Sequence, residues 1–530
     1  MKISPKIKPT YKELPSIFAD RLGEEYSILN QQESKQIKGQ FFTPFEIAVK
    51  MGNLSNFEKE TVRILDPGSG IGILTCALIE HLVRNQQVKK IELITYENDE
   101  SIIHFLENSL NYLAIWLDEM NVDLNFKIIQ KDFVLENAFV LEDKTNLFET
   151  EIIQFDIIIS NPPYFKLPID DIRSIATKAI VNGHPNIYAM FMAIASRLLK
   201  INGELIFITP RSFASGSYFK LFREKFFQVI EIEIVHVFVS RSKTFKRDKV
   251  LQETIIMKGV RKESINPNAT VNISSSDNMK DINNSINKTF KHIELIDLNS
   301  NEKILHLPSS DKEENILNIF KGWDGNLKKY DICISTGPVV AFRNRNKIFE
   351  NTENVSNGYV PLYWMHNVKQ MNLEWPIDKK DKGQYVENSI DSNNILVPNK
   401  NYIFLRRFST KDDKQRLIAA PYFSNGSDLK FIGVENKVNY IYRKNGHLDR
   451  SEIIGLCSLL NSKLFDSYFR IFNGNVNVSA TELREMPLPP YQVIKEIGDR
   501  IILSNDYSLE NINLIINDTL NFKNEFYEQS

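Results

Sequence analysis

The sequence predicts an α/β fold organised on a mostly parallel sheet, followed by a second domain of different construction. Between about 62 and 257, short β-branched runs alternate with amphipathic helical stretches, the pattern of strands joined by crossover helices. The two most pronounced turn clusters, Gly68-Ser69-Gly70-Ile71-Gly72 and Asn161-Pro162-Pro163-Tyr164, each follow such a run. The composition changes after Gly259, and a chain of 530 residues that is 42% hydrophobic exceeds what one core usually organises.

Strands are expected at 62–66, 91–96, 126–130, 155–160, 204–209 and 230–238, and a seventh run, 250–257, completes an edge. Helices fill the gaps, at 73–84, 101–117 and 186–199. These elements define a domain over 38–259, preceded by a helical extension at 1–37. From Gly259 to about Asp311 the chain turns to Asn, Ser, Lys and Asp, as in INPNATVNISSSDNMKDINNS, and periodicity lapses, so 260–315 reads as a linker or peripheral region. Aromatics and apolar runs return in no βαβ order over 316–490, which reads as a mixed α+β domain, and 491–530 reads as a helical tail.

Lys and Arg number 65 against 67 Asp and Glu, a net charge of −2, so no global basic field draws the molecule onto nucleic acid and any such surface is local. Cys76, Cys333 and Cys457 stand far apart with no CxxC pair, which excludes a disulfide framework and a cysteine zinc site; no metal is expected, and a reducing cytoplasm fits. No run approaches the length needed to span a bilayer, and MKISPKIKPTYKEL lacks the apolar segment of a secretory signal. A soluble cytoplasmic protein is expected.

The segment Ile64 to Gly72 passes from a strand through a glycine turn into a helix, where a backbone without side chains can approach a nucleotide-like ligand; its GxGxG spacing differs from the GxGxxG of dinucleotide folds. Glu97 follows the second strand, placed either to hold a ribose diol or as a solvated loop carboxylate. Asp132 and Phe133 follow the third, either as an acceptor and a flat face for an adenine or as a helix cap with a core phenylalanine. Ligands of open α/β sheets bind outside the carboxyl ends of the strands, and three such residues at successive ends point to one pocket.

Asn161-Pro162-Pro163-Tyr164 ends the strand at 155–160 and is the most informative stretch. An amine conjugated with an aromatic ring is a poor nucleophile. The Asn161 side-chain oxygen and the Pro162 carbonyl can both accept its protons and localise the lone pair, with no base of tuned pKa. Consecutive prolines stiffen the turn, and Tyr164 offers a ring for a base to stack on.

On these motifs the chain resembles the gamma-class DNA N6-adenine methyltransferases of type II restriction-modification systems. The resemblance implies a Rossmann-like S-adenosylmethionine-dependent methyltransferase fold with a seven-stranded sheet, and a C-terminal target-recognition domain. It implies S-adenosylmethionine as cofactor and double-stranded DNA as partner, with the target adenine flipped out. In Gly39-Gln40-Phe41-Phe42-Thr43-Pro44-Phe45-Glu46, Thr43 reads as a helix N-cap and Pro44 as the first helical residue, both near the methionine moiety. By the same resemblance Asp66, Pro67, Gly68 and Gly70 surround the methionine end, Glu97 the ribose, and Asp132 with Phe133 the cofactor adenine. A second base-stacking aromatic is expected after the sixth strand, at Phe245 in Ser242 to Val250, with Phe238 the alternative.

In the second domain Ser335-Thr336-Gly337-Pro338-Val339-Val340, Leu405-Arg406-Arg407-Phe408-Ser409 and the run from Asn473 to Glu482 are similar to modification methylases of the PstI and BsuBI type. Arg343, Arg345, Arg406 and Arg407 suit phosphates or guanine edges, and Asn473 and Asn475 join them as DNA-binding candidates. A monomer acting beside a separate cognate endonuclease is expected. Asp428 with Glu435-Asn436-Lys437 matches a nuclease-like spacing inside the recognition domain, and a fused endonuclease is not expected. The rival reading is methylation of a protein glutamine amide or of RNA, since Asn-Pro-Pro-Tyr serves that chemistry too. A cytosine C5 enzyme would need a Pro-Cys nucleophile that none of the three cysteines provides.

Overall fold

A computed structural model describes residues 4–29, 42–84, 87–142, 152–181, 183, 185–238, 254–276, 282, 285–350, 358–409, 413–424, 429–473 and 476–522. The chain forms two compact units, Met1–Ser309 and Ser310–Ser530.

The first unit is built on a nine-stranded sheet of order β3-β2-β1-β4-β5-β7-β6-β8-β9. The strands are β1 Thr61–Pro67, β2 Lys90–Tyr96, β3 Asp123–Ile129, β4 Phe155–Ser160, β5 Leu199–Pro210, β6 Ile230–Phe238, β7 Thr254–Arg261, β8 Thr270–Ser276 and β9 Ile286–Lys291. β1 to β5 run parallel, and β7 lies antiparallel between β5 and β6. The central strand β4 is buried along its whole length, which is why it reads as an unbroken apolar run. Strand order reverses between β1 and β4, and such a reversal leaves a crevice at the carboxyl ends.

Helices Ile73–Val83, Glu100–Asp118 and Ile187–Leu198 occupy the expected gaps. Helix Pro15–Leu29 packs on the first two of these. The backbone N–H and hydroxyl of Ser16 both donate to the buried Glu80 carboxylate, at 2.6 and 2.8 Å, and fasten the extension to the domain.

Of the two readings offered for 260–315, a linker or a peripheral region, the structure departs from the linker. β8 pairs parallel with β6, β9 returns antiparallel, and Val271, Ile273 and Phe290 join the core. The fully buried Arg223 pins the segment that follows, donating to the carbonyls of Glu302 (2.7 Å), Phe213 (3.0 Å) and Gly216 (2.8 Å). Two added edge strands also raise the expected seven-stranded sheet to nine.

The second unit contains a four-stranded antiparallel sheet of order Cys333–Thr336, Val438–Tyr442, Tyr402–Arg406 and Ala419–Tyr422, and a five-stranded mixed sheet. Helix Tyr491–Ser504 is not a trailing tail. It packs on Arg450–Asn461 with glycines at the crossing: a Cβ on Gly455 would stand 2.0 Å from the Ile494 carbonyl, and one on Gly498 2.0 Å from that of Ser451.

Candidate functional site

The ends of β1, β2, β3 and β4 open into a cavity of about 550 Å³ lined by, among others, Phe42, Pro67, Gly68, Gly70, Glu97, Asp132, Phe133, Asn161, Pro162 and Pro163. Gly68 and Gly70 have φ of +131° and +53°, a backbone that L side chains rarely adopt, so the bare turn is a conformational requirement. The Gly70 N–H donates to Glu97 Oε2 at 3.1 Å and the Asp99 N–H to Oε1 at 2.8 Å, so one carboxylate ties the glycine turn to the end of β2. Glu97 is not a solvated loop residue: it is 7% exposed, and burial pushes its pKa up to about 7.

Asp66 departs from its expected place. It lies buried beneath the turn and is not among the lining residues; it accepts from Thr75 Oγ1 at 2.7 Å, and Oδ1 has no hydrogen-bond partner among the described residues. Burial raises its pKa to about 7, and the neighbouring Glu97 charge adds to the rise.

Asp132 and Phe133 are a helix cap and a core phenylalanine that also face the cavity. Asp132 caps helix Phe133–Asn137 by accepting from the Leu135 N–H at 3.0 Å, yet both residues line the cavity. Phe133 packs on Phe191 with ring centroids 5.0 Å apart, and the two form an apolar wall. Arg173, which sequence reasoning missed, also lines the cavity. It donates to Asp171 at 2.9 and 2.8 Å, lies 3.7 Å from Asp132 Oδ2, and covers the Phe165 ring.

The Asn161 amide is held between two hydroxyls. Its Nδ2 donates to Thr43 Oγ1 at 3.0 Å, and its Oδ1 accepts from the Tyr164 hydroxyl at 2.6 Å. The Ile208 carbonyl lies 2.9 Å from the same hydroxyl; a phenol has one proton, so the two acceptors compete for it. Tyr164 is 8% exposed, and burial holds its pKa well above the usual value, so its ring is not offered as an open platform for a base. Thr43 does not cap a helix. Helix Phe45–Gly52 begins after Pro44, which stands at the N-cap with no side-chain bond and is not the first helical residue. Neither Thr43 nor Pro44 lines the cavity, and Phe42 does. The signal for Arg173 and for the Thr43–Asn161 bond is absent from any local pattern, because the partners lie 41 and 118 positions apart.

Phe245 falls outside the described residues. Its alternative, Phe238, is 1% exposed in the core against His236 and is removed as a stacking candidate.

Of the six residues assigned to DNA in the second unit, Arg343 and Arg345 are exposed. Arg406 is half-buried and donates to the Val368 carbonyl at 2.7 Å, and Arg407 to that of Asn436 at 3.0 Å. Asn473 is corrected: it is 1% exposed, accepting from Arg416 at 2.8 Å and donating to Glu482 at 2.8 Å. Asn475 lies outside the described residues, as does Asp428 of the nuclease-like spacing, whose Glu435 is buried.

The first unit is thus an α/β domain on a large, mostly parallel sheet, with a cavity that includes two glycines of the turn after β1 at the carboxyl ends of its strands. Residues 76–245 match the family described as Eco57I restriction-modification methylase. Type II methyltransferase M.PstI of Providencia stuartii is 32% identical over 505 residues, 95% of this chain and 97% of its own. Type II methyltransferase M.BsuBI of Bacillus subtilis is 32% identical over 472 residues, 89% of this chain and 91% of its own. Among solved structures, the type IIG restriction endonuclease BpuSI aligns with a TM-score of 0.45 and 12% identity over 96% of this chain and 68% of that one. The chain belongs to the type II methyltransferases of restriction-modification systems.

Proposed function

We propose that this chain transfers a methyl group from S-adenosylmethionine to N6 of an adenine flipped out of double-stranded DNA, protecting host DNA against a separate endonuclease of the same specificity. The observation that carries the reading is that Asn161 and Pro162 share one cavity with Glu97, Asp132 and Phe133.

The residues fit the cofactor. A ribose diol needs a buried acceptor, which Glu97 supplies; a purine needs flat apolar walls, which Phe133 and Phe191 form. The methionine end needs close backbone approach, and a Cβ on Gly68 or Gly70 would come within 3.4 Å of an aromatic ring at a φ that already resists one. When bound, S-adenosylmethionine supplies an electrophilic methyl group. Glu97 orients it through the ribose, and Asp132 accepts from its adenine amine.

Asn161 Oδ1 and the Pro162 carbonyl accept hydrogen bonds from the two N–H groups of the target amine and draw its lone pair out of conjugation toward the donor; the nitrogen–methyl bond would form as the sulfur–methyl bond breaks, and the surplus N–H proton would pass to solvent. Neither group has to ionise. Aromatic stacking, worth roughly 1–3 kcal/mol per base, offsets part of the cost of unstacking the nucleotide; Phe245 is the proposed face. The second unit, 310–530, is proposed to choose the sequence through Arg343, Arg345, Arg406 and Arg407, and the enzyme to act as a monomer.

Modification-sensitive sequencing of genomic DNA from a host expressing the chain tests the reading. N6-methyladenine at one short motif is expected; N4-methylcytosine, or unmodified DNA, would sink it. Asn161→Ala should lower turnover on the order of 100-fold or more and leave cofactor affinity unchanged. Near-normal turnover in that variant removes the assigned role.

A further inference from the structure

One wall of the cavity in the first unit carries a cation that is only partly bonded. Arg173 stands on the short helix Ile172–Ala176, which packs against helix Phe133–Asn137. Asp171 caps the first of these by accepting from the Arg173 N–H at 2.9 Å, and its carboxylate takes Nε and Nη2 in a fork at 2.9 and 2.8 Å. Those bonds hold the Asp171 carboxyl below the usual carboxylate range, so the pair stays charged in neutral solution. The backbone is held too: Ser174 Oγ donates to the Pro168 carbonyl at 2.8 Å, and Thr177 Oγ1 to that of Arg173 at 2.7 Å. With the guanidinium carbon 5.8 Å from the Phe165 ring centroid, the direction of the side chain is set by the protein alone.

The third nitrogen, Nη1, has no hydrogen-bond acceptor among the described residues. It lies 3.7 Å from Asp132 Oδ2, beyond hydrogen-bonding distance. Asp132 is in the complementary state: Oδ1 accepts from the Leu135 N–H at 3.0 Å, and Oδ2 has no donor among the described residues. An unused donor and an unused acceptor thus stand side by side, and both residues line the cavity with Phe133 and Phe191, whose rings form its apolar wall. The exocyclic amine of adenine is a donor, and the ring nitrogens on either side of it are acceptors, so adenine offers the two partners that this pair lacks. A 6-oxo purine would set a carbonyl oxygen against the carboxylate instead.

We propose that Arg173 reads the cofactor's adenine together with Asp132: Nη1 donates to a ring nitrogen flanking the amine while Asp132 Oδ2 accepts from the amine itself. The inference rests on the cofactor reading above, which assigns Asp132 to that amine, and it adds the residue that makes the purine edge a two-point contact. A lone carboxylate accepts from any amine; the pair also demands an acceptor beside it. The Asp171 fork gives the guanidinium its aim, because the planar group cannot turn without breaking both bonds.

The test uses the full-length chain without DNA, so that a target adenine plays no part. Titration calorimetry compares S-adenosylhomocysteine, the demethylated cofactor, with analogues in which the 6-amino group is replaced by hydrogen, or N1 or N7 by C–H. The wild type should bind one of the two deaza analogues about tenfold or more weakly than S-adenosylhomocysteine, the loss expected for a hydrogen bond to a charged group. Arg173→Ala should weaken S-adenosylhomocysteine by the same factor and show no further loss with that deaza analogue. Arg173→Lys, which keeps a cation for Asp171 but has one nitrogen for two partners, should show the same collapse and serves if the alanine variant does not fold. The deamino analogue reports on Asp132 and should bind more weakly than S-adenosylhomocysteine to wild type and variants alike. If the wild type takes the deamino analogue as tightly as S-adenosylhomocysteine, or binds neither, the cofactor reading fails and the proposal with it. If the deamino analogue is penalised while both deaza analogues bind like S-adenosylhomocysteine, Asp132 keeps its place and the proposal for Arg173 is overturned. A deaza penalty that survives in the Arg173 variants overturns it equally, by assigning the ring nitrogen to another donor.

Discussion

Lowering the pH from about 8 to about 6 should weaken cofactor binding about tenfold through Glu97, a contribution read apart from that of Asp66, which burial lifts to the same range, by comparison with a Glu97 variant. Burial among β1, β2 and the glycine turn lifts the Glu97 pKa to about 7, and only the ionised form can accept from both hydroxyls of a ribose. The sign follows. Above about pH 7 the competent carboxylate predominates and affinity is flat; below it the apparent dissociation constant rises up to tenfold per unit, because at pH 6 about one molecule in eleven carries the charge. Titration calorimetry without DNA measures this, with Glu97→Gln as the reference. The α-amine of the cofactor titrates at roughly 7.7–8.0, so the difference between wild type and variant at each pH is the quantity to read. Glu97→Gln should bind about 1–3 kcal/mol more weakly at pH 8, and the gap should close toward pH 6. The same group enters stability with the opposite sense. Ionising it in the cofactor-free fold costs on the order of 3 kcal/mol above about pH 7 and almost nothing below about pH 4, so Glu97→Gln should melt higher than wild type at pH 8 but not at about pH 4. An affinity gap that stays constant from pH 6 to 8 would refute the assignment of Glu97 to the ribose.

Two further outcomes follow from observed contacts. Thr43→Val removes the acceptor for Asn161 Nδ2 and keeps the side-chain shape; turnover should fall on the order of tenfold with cofactor affinity unchanged, and Thr43→Ser should restore it, as single-turnover kinetics would show. Asn473→Ala should cost about 1–3 kcal/mol of stability, measured by denaturant unfolding, because it strips partners from the buried Arg416 and Glu482, while sequence preference among duplexes stays that of the wild type.

The sheet of the first unit was legible because its central strands are buried on both faces and read as continuous apolar runs between turn signals. β8 was not. In Thr270–Ser276 the apolar side chains are Val271 and Ile273, and the inward serines find a polar partner in His236, which lies 2.7 Å from Ser274 Oγ and 2.9 Å from Ser276 Oγ. A strand next to the sheet's edge that is satisfied in that way has the composition of a linker. The site divides along a similar line. Glu97, Asp132, Phe133 and Asn161 could be found because each sits at the end of a strand, where topology alone delivers it to the cavity. The Asp66 and Thr43 assignments failed on depth: one residue's separation along a strand or turn decides between the cavity and the layer beneath it. Asn473 failed because a polar side chain among glycines and asparagines looks solvent-facing until a buried arginine is found to need it.

The protonation chemistry of the cavity leads to one more consequence. The groups proposed to hold the target amine are an amide oxygen and a backbone carbonyl, and the hydroxyls that hold the amide belong to a threonine and to a tyrosine whose burial keeps it protonated throughout the neutral range. None of these changes charge between pH 6 and 8. Glu97 and Asp66 do, both raised to about 7 by burial, but they lie at the glycine turn proposed to hold the cofactor rather than at the target amine, so on that reading their titration enters the Michaelis constant and disappears at saturation. Turnover at saturating cofactor and DNA should therefore stay level across that range while kcat/KM for the cofactor falls on the acid side of about pH 7. A catalytic base would give the reverse, an acid limb that persists in kcat however much cofactor is supplied. Observing that limb would mean that a titrating group takes the proton from the amine before transfer, and Asn161 would lose its place as the group that makes the lone pair available.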